Sequence, residues 1–148
     1  MNRRDFIEKT CTACLSITAL SSVLSACQTT HYINGKIGKD GITIPLTDFI
    51  TGTKNNPAYR SFLILRNDTL QYPICVYRKD NTEYTALWMR CSHQGTELQV
   101  SGDSMICTAH GSEFNNKGQV ISGPADQNLR KFPVSIIENE LFIDLRKA

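Results

Sequence analysis

Arg90-Cys91-Ser92-His93-Gln94-Gly95 and Cys107-Thr108-Ala109-His110-Gly111-Ser112, with thirteen residues between His93 and Cys107, decide how this 148-residue chain is read. Each stretch carries a cysteine and a histidine close enough to be presented from one loop. Thiolate and neutral imidazole are the protein ligands that iron, zinc and copper share. Two of each suit two different centres. The cysteine pair can take one iron of a 2Fe–2S cluster and the histidine pair the other. The same four side chains can instead close one tetrahedral zinc site. Two unrelated buried Cys-His pairs are the third reading.

The flanking residues bear on that choice. Phe114 follows the second pair, and Gly118-Gln119-Val120-Ile121-Ser122-Gly123-Pro124-Ala125 lies downstream. C-x-H-x-G, then C-x-x-H-G-S, then G-P-A closely resembles the cluster-binding region of the Rieske family. The resemblance runs from about Tyr84 to the C-terminus. A zinc site has no need of a glycine after each pair. A cluster has, because backbone must come close enough to its sulfides to donate N–H bonds, which glycine permits.

The resemblance implies an all-β fold of stacked antiparallel sheets. A cluster-binding subdomain, about 88–125, is inserted in a basal part, and the whole domain covers 36–148. It implies one 2Fe–2S cluster per chain, with Cys91 and Cys107 on the inner iron and His93 and His110 on the outer. Ser112 is expected to donate its hydroxyl to a bridging sulfide. Two ferric ions, two sulfides and two thiolates sum to zero charge, whereas four thiolates give −2, so histidine ligation raises the potential. The quinol-oxidising branch of the family carries a disulfide across the cluster. Here Thr96 and Ala109 occupy its two positions, and Phe114 stands where that branch has a tyrosine.

Secondary structure reads the same way. Short β-type runs dominate: 42–46, 61–65, 74–77, 84–89, 105–106 and 120–121, separated by Gly, Asn, Asp and Pro clusters. A short hairpin is expected from Leu98 to Met105, turning at Ser101-Gly102-Asp103. Residues 132–137 and 141–145 form the clearest hairpin, across Glu138-Asn139-Glu140. Leu141, Ile143 and Leu145 alternate with Phe142 and Asp144, as one half-buried strand requires. Trp88, the sole tryptophan, reads as core.

The first thirty residues read as targeting rather than fold. Arg3-Arg4-Asp5-Phe6-Ile7 resembles a twin-arginine export signal, with Glu8 where a lysine is usual and Lys9 one place late. Residues 11–26 are too short and too polar for a spanning helix of about twenty apolar residues. Leu24-Ser25-Ala26-Cys27 resembles a bacterial lipobox. Residues 1–26 are thus expected to be removed, Cys27 lipid-modified and 27–35 left as a tether. His31 falls there as a solvated loop residue. A route that carries folded proteins suits a domain whose cluster is inserted before export.

Six cysteines suggest disulfides until they are placed. Cys11 and Cys14 fall in the signal, Cys27 goes to lipid, and Cys91 and Cys107 go to the cluster. Cys75 remains, in an apolar run, as a small buried hydrophobe. The net charge of +2 shows no basic patch for nucleic acid.

The expected function is an exported, lipid-anchored carrier of single electrons, in a respiratory chain or for an oxidoreductase partner, rather than a stand-alone enzyme. The alternatives are the Rieske subunit of a quinol-oxidising cytochrome bc-type complex and, in another class, a zinc-stabilised interaction lipoprotein. Partners are a redox protein or a quinol, and a membrane through the lipid.

Overall fold

Phe62-Leu63-Ile64-Leu65 and Ile74-Cys75-Val76-Tyr77 are unbroken apolar runs, and all eight residues are buried. A strand without polar alternation has both faces covered. The computed structural model, which describes residues 30–146, shows what covers them.

Among the described residues, thirteen strands follow in chain order: β1 (Tyr32–Ile33), β2 (Lys36–Ile37), β3 (Gly41–Pro45), β4 (Phe62–Leu65), β5 (Ile74–Arg78), β6 (Tyr84–Trp88), β7 (Gln99–Ser101), β8 (Ser104–Ile106), β9 (Glu113–Asn115), β10 (Val120–Ser122), β11 (Lys131–Phe132), β12 (Val134–Ile137) and β13 (Glu140–Asp144). A 3-10 turn, Leu46–Phe49, follows β3 and buries Phe49. The strands form three sheets, ordered β1-β4-β5-β6-β11, β10-β9-β8-β7 and β12-β13-β3-β2. The fold is all-β, as expected. Every pairing is antiparallel except that of β1 with β4, which is parallel.

The first sheet is the central layer. Phe62, Ile64, Cys75, Tyr77 and Leu87 point to one side and join Leu98, Met105, Cys107 and Phe114 in one core. Leu63, Leu65, Ile74, Val76, Ala86 and Phe132 point to the other and meet Ile42, Ile44, Leu141 and Ile143 of the third sheet. Each buried Leu, Ile or Phe contributes about 1.5–3 kcal/mol of transfer free energy. β13 shows the one-sided pattern, with Leu141 and Ile143 fully buried and Phe142 and Asp144 only partly.

The middle sheet, residues 99–122, falls in sequence between β6 and β11, which are neighbours in the first sheet. It therefore projects from that sheet on two chain crossings. The β7–β8 hairpin turns at Gly102-Asp103, with Gly102 at φ 58°, a left-handed position suited to a two-residue hairpin. The β12–β13 hairpin is tighter than expected. Ile137 already pairs with Glu140, leaving Glu138 (φ 56°) and Asn139 as the turn.

Part of the expected tether carries structure. Tyr32 and Ile33 register with Ile64 and Leu65, and the Ile64 N–H donates to the His31 carbonyl at 2.9 Å. His31 is partly buried rather than solvated. The edge of β4 offers unpaired backbone groups, and two tether residues satisfy them. The expected signal, the Cys11 and Cys14 pair and Cys27 lie outside the described residues. Among the described residues, no helix is long and apolar enough to cross a membrane.

Candidate metal centre

Two six-residue loops with the same backbone design build the site. The first, Cys91 to Thr96, is closed by the Arg90–Glu97 bridge; the second, Cys107 to Ser112, by the Ile106–Glu113 pair of β8 and β9. In the first, the Cys91 carbonyl accepts from the Gly95 N–H at 2.9 Å, and the Cys91 N–H donates to the Thr96 carbonyl at 2.8 Å. In the second, the Cys107 carbonyl accepts from Gly111 and the Cys107 N–H donates to Ser112, both at 2.8 Å. Gly95 and Gly111 take φ of 77° and 79°, a region that costs other residues roughly 1–2 kcal/mol. The sequence meets that demand by placing glycine four residues after each cysteine.

Both cysteines are buried, at 1% exposure each, and neither is in a disulfide. His93 is partly buried and His110 exposed. Their rings meet edge to face, with centroids 5.0 Å apart and planes at 89°. His93 Nδ1 is buried without a hydrogen-bond partner. A buried ring nitrogen left unpaired costs free energy unless something coordinates it.

The Cys107 sulfur sits among donors. Burial pushes its pKa up, but the Ala109 N–H, the Cys91 side chain, the His110 N–H and the Thr96 side chain outweigh it, and the net shift is downward. Hydrogen bonds aimed at sulfur favour the thiolate, the form that binds metal.

A third loop closes over the first two. The Ala125 N–H donates to Ser112 Oγ at 3.0 Å, and Ser92 Oγ donates to the Gln127 carbonyl at 2.6 Å. Ser112 is completely buried. Accepting from Ala125 leaves its own hydroxyl proton available to donate. From the far side, the Tyr72 hydroxyl donates to the Gly95 carbonyl, and the Tyr72 ring packs edge-on against Trp88 at 5.4 Å. Trp88 is partly buried, beneath Arg90 and Arg130.

Cys91, His93, Cys107, His110 and Ser112 thus come together from two loops. Cys75 stands apart from both Cys-His loops, on β5, in the core that also holds the two cysteines. Sequence reasoning passed over three supports, Tyr72, Thr96 and the Gln127 carbonyl. Thr96 had a readable signal, a hydroxyl five residues after its cysteine, just as Ser112 stands five after Cys107.

The donor set fits a two-iron centre better than a single ion. Among the described residues, no three His, Cys, Asp or Glu side chains converge as one metal ion would need. A tetrahedral zinc requires four ligands on one point, whereas each iron of a mixed-ligand cluster takes only two from the protein. Buried thiols, an unpaired buried imidazole nitrogen and N–H groups on sulfur suit such a cluster.

The family model for the Rieske [2Fe-2S] domain matches residues 60–133, half of the chain. The chain belongs to that family: it is an electron-transfer Rieske protein with one 2Fe–2S cluster. The matched span runs from β4 to β11; all four strands of the third sheet lie outside it. No curated protein matches the sequence. Among solved structures, the chain is similar to the cyanobacterial plasma membrane Rieske protein PetC3 from Synechocystis PCC 6803, at 23% identity over 57% of this chain and 86% of that one, with a TM-score of 0.49. It is also similar to a chain of the complex of reduced oxygenase and oxidized ferredoxin in carbazole 1,9a-dioxygenase (25% identity, 60% and 83%, TM-score 0.47). A ferredoxin of Sphingomonas yanoikuyae B1 gives 22%, 57% and 84%, and 0.45.

Proposed function

We propose that Cys91 and Cys107 hold one iron of the cluster and His93 and His110 the other, in an exported carrier anchored to a bacterial membrane by lipid on Cys27. The observation that carries the ligand reading is the pair of matched loops, which presents two buried sulfurs and two adjoining imidazoles. The bound cluster supplies one-electron chemistry at a potential raised by its histidines. The chain's own residues do the rest. The loop backbones hold the sulfurs away from water, and Ser112 keeps a hydroxyl proton free inside the site. The exposed His110 imidazole is the point where a redox partner protein or a quinol reaches the centre. Twin arginines at 3 and 4 and the sequence Leu24-Ser25-Ala26-Cys27 support the export and lipid reading.

Purified protein should be red-brown, contain two irons and two acid-labile sulfides per chain, and show a low average g-value when reduced. A colourless protein holding one zinc would overturn the reading. Copurification with a cytochrome b would move it to a quinol-oxidising complex.

A further inference from the structure

The segment that follows Cys27 is bound into the fold almost at once. The Ile64 N–H donates to the His31 carbonyl at 2.9 Å, and the Arg66 N–H to the Ile33 carbonyl at 3.0 Å. β1 is thereby an outer strand of the first sheet, and β2 is an outer strand of the third. Asn34 and Gly35 cross between them. Gly35 lies so close to the core that a Cβ there would sit 2.2 Å from Ile42 Cγ2. The segment is therefore strapped across one edge of the stacked sheets. Cys27 is four residues before His31, a reach of about 14 Å at full extension. What the strap leaves outside is apolar and basic. Tyr32 is 57% exposed and Ile37 45%, with Lys36 and Lys39 exposed beside Ile37. Thr30 to Lys39 contains no Asp or Glu. Glu97 meets Arg66 at 2.5 Å and Asp40 meets Arg146 at 3.5 Å. Glu140 reaches Lys36 only at 4.0 Å, between exposed groups, a contact that contributes little.

We infer that the β1–β2 edge is a lipid-contact face. Tyr32 and Ile37 enter the headgroup layer of the membrane, and Lys36 and Lys39 meet its anionic phosphates. This rests on Cys27 carrying the lipid anchor. Acyl chains on a residue within about 14 Å of the edge bring that edge to the bilayer surface. Tyrosine is favoured at headgroup level, and lysine near the surface is drawn to anionic lipid. One tyrosine, one isoleucine and two lysines do not hold the domain by themselves. The lipid holds it, and the face sets which side lies down.

The test uses the cluster-loaded, membrane-extracted full chain, returned to vesicles of phosphatidylglycerol and phosphatidylethanolamine with brominated acyl chains. Trp88 is the sole tryptophan, so the parent gives the background. Tyr32→Trp and Ile37→Trp place a fluorophore on the face. Ile137→Trp is the control, at an exposed site on β12, the opposite outer strand of the third sheet. Iron content is measured first, and either face variant with a full cluster decides the matter. The added fluorescence at 32 and 37 should fall by about half, because side chains at the headgroup–acyl boundary lie within reach of the bromines. That at 137 should not fall. Lys36→Gln with Lys39→Gln, or brominated phosphatidylcholine alone, should lower the quenching, since each lysine favours the contact roughly fivefold.

Vesicle-bound protein with a lipid-modified Cys27 and no quenching at 32 or 37 would overturn the face and leave the anchor standing. Equal quenching at 32, 37 and 137 would also overturn it, since the domain would then have no preferred side. Quenching unchanged by the two lysine replacements would overturn the assignment to anionic lipid. A blue shift at 32 and 37 in detergent without lipid, growing with protein concentration, would give the face to a second copy of the chain instead. Mass spectrometry of Cys27 separates the proposal from the reading beneath it. An unmodified Cys27 in protein that stays off the vesicles would remove the lipid anchor, and the face with it.

Discussion

The His93 and His110 rings stand edge to face, their centroids 5.0 Å apart and their planes at 89°. The two loops share one backbone design, but His93 lies two residues after its cysteine and His110 three. That one-residue offset places the two imidazoles at different points of the same turn. It gives one partly buried ring with an unpaired Nδ1 and one exposed ring. The pair therefore joins the buried sulfurs to the surface.

Single replacement of Cys91, His93, Cys107 or His110 by Ala should abolish the visible absorbance and reduce iron from two per chain to a small residue. Melting of residues 99–122 should become less cooperative, because the loops would lose the metal that links them. Iron analysis and hydrogen exchange check the two outcomes. Full iron retention in any one variant would remove that residue from the ligand set.

Cys27→Ser should release the protein from washed membranes without changing its visible spectrum. Attachment through acyl chains depends on one residue, whereas a spanning helix does not. Mass spectrometry of the parent should find residues 1–26 missing and a lipid-modified Cys27. A variant that stays membrane-bound with residues 1–26 present would make the segment an anchor.

The candidate site was legible because metal chemistry allows few residue types and short spacings, so two cysteines, two histidines and two glycines stand out in a single sequence. Strands with internal pattern were legible too. β13 shows its alternation, and β4 and β5 show unbroken apolar runs. β9 was not, because Glu113-Phe114-Asn115 has little β preference and is held in the sheet by its partners Met105 and Ile106. β1 was missed for a similar reason. Two residues carry no periodicity, and their parallel partner lies some thirty residues away. Thr96 went unread as a support because a loop threonine is ordinarily just a turn residue.

Cys75 and Tyr77 should make the protein sensitive to alkali. Burial raises the Cys75 thiol well above the usual range, opposed only by its bond with Tyr77. Tyr77 is raised first by burial, then by Cys75. A raised folded pKa costs nothing at neutral pH, where both states are protonated. Stability is lost once the unfolded thiol ionises, above about pH 8.5. By pH 10 that loss is about 2 kcal/mol for the thiol alone. Urea melts at pH 7 and pH 10 should show Cys75→Val losing less stability than the parent over that interval. An identical loss would mean that Cys75 ionises freely when folded.

Gly111→Ala isolates backbone strain at the site. A Cβ there would meet no protein atom within 4 Å, yet φ is 79°. The cost should be roughly 1–2 kcal/mol, with full iron content and a lowered Tm. Gly111→Asn should cost less, since asparagine tolerates the left-handed region. A larger loss for Asn than for Ala would show that position 111 is limited by space rather than by φ.

Ser112 and Phe114 should move the potential in opposite directions when replaced. Ser112 is fully buried, and Ala125 occupies only one of its acceptor sites. Its proton is therefore free for the centre. Donation favours the reduced, more negative state, so Ser112→Ala should lower the potential. Phe114 is fully buried in the same core as Cys91 and Cys107 and has no proton to offer. Phe114→Tyr should supply one and raise the potential. One such bond is worth roughly 1–2 kcal/mol of difference between the two states. For one electron that is about 40–90 mV. The parent should then lie within the family range of roughly −150 to +300 mV, but below its top. Voltammetry of the two variants at equal iron content decides it. If Ser112→Ala left the potential unchanged, the hydroxyl proton would point away from the centre. The bond to Ala125 would then be the whole of its role.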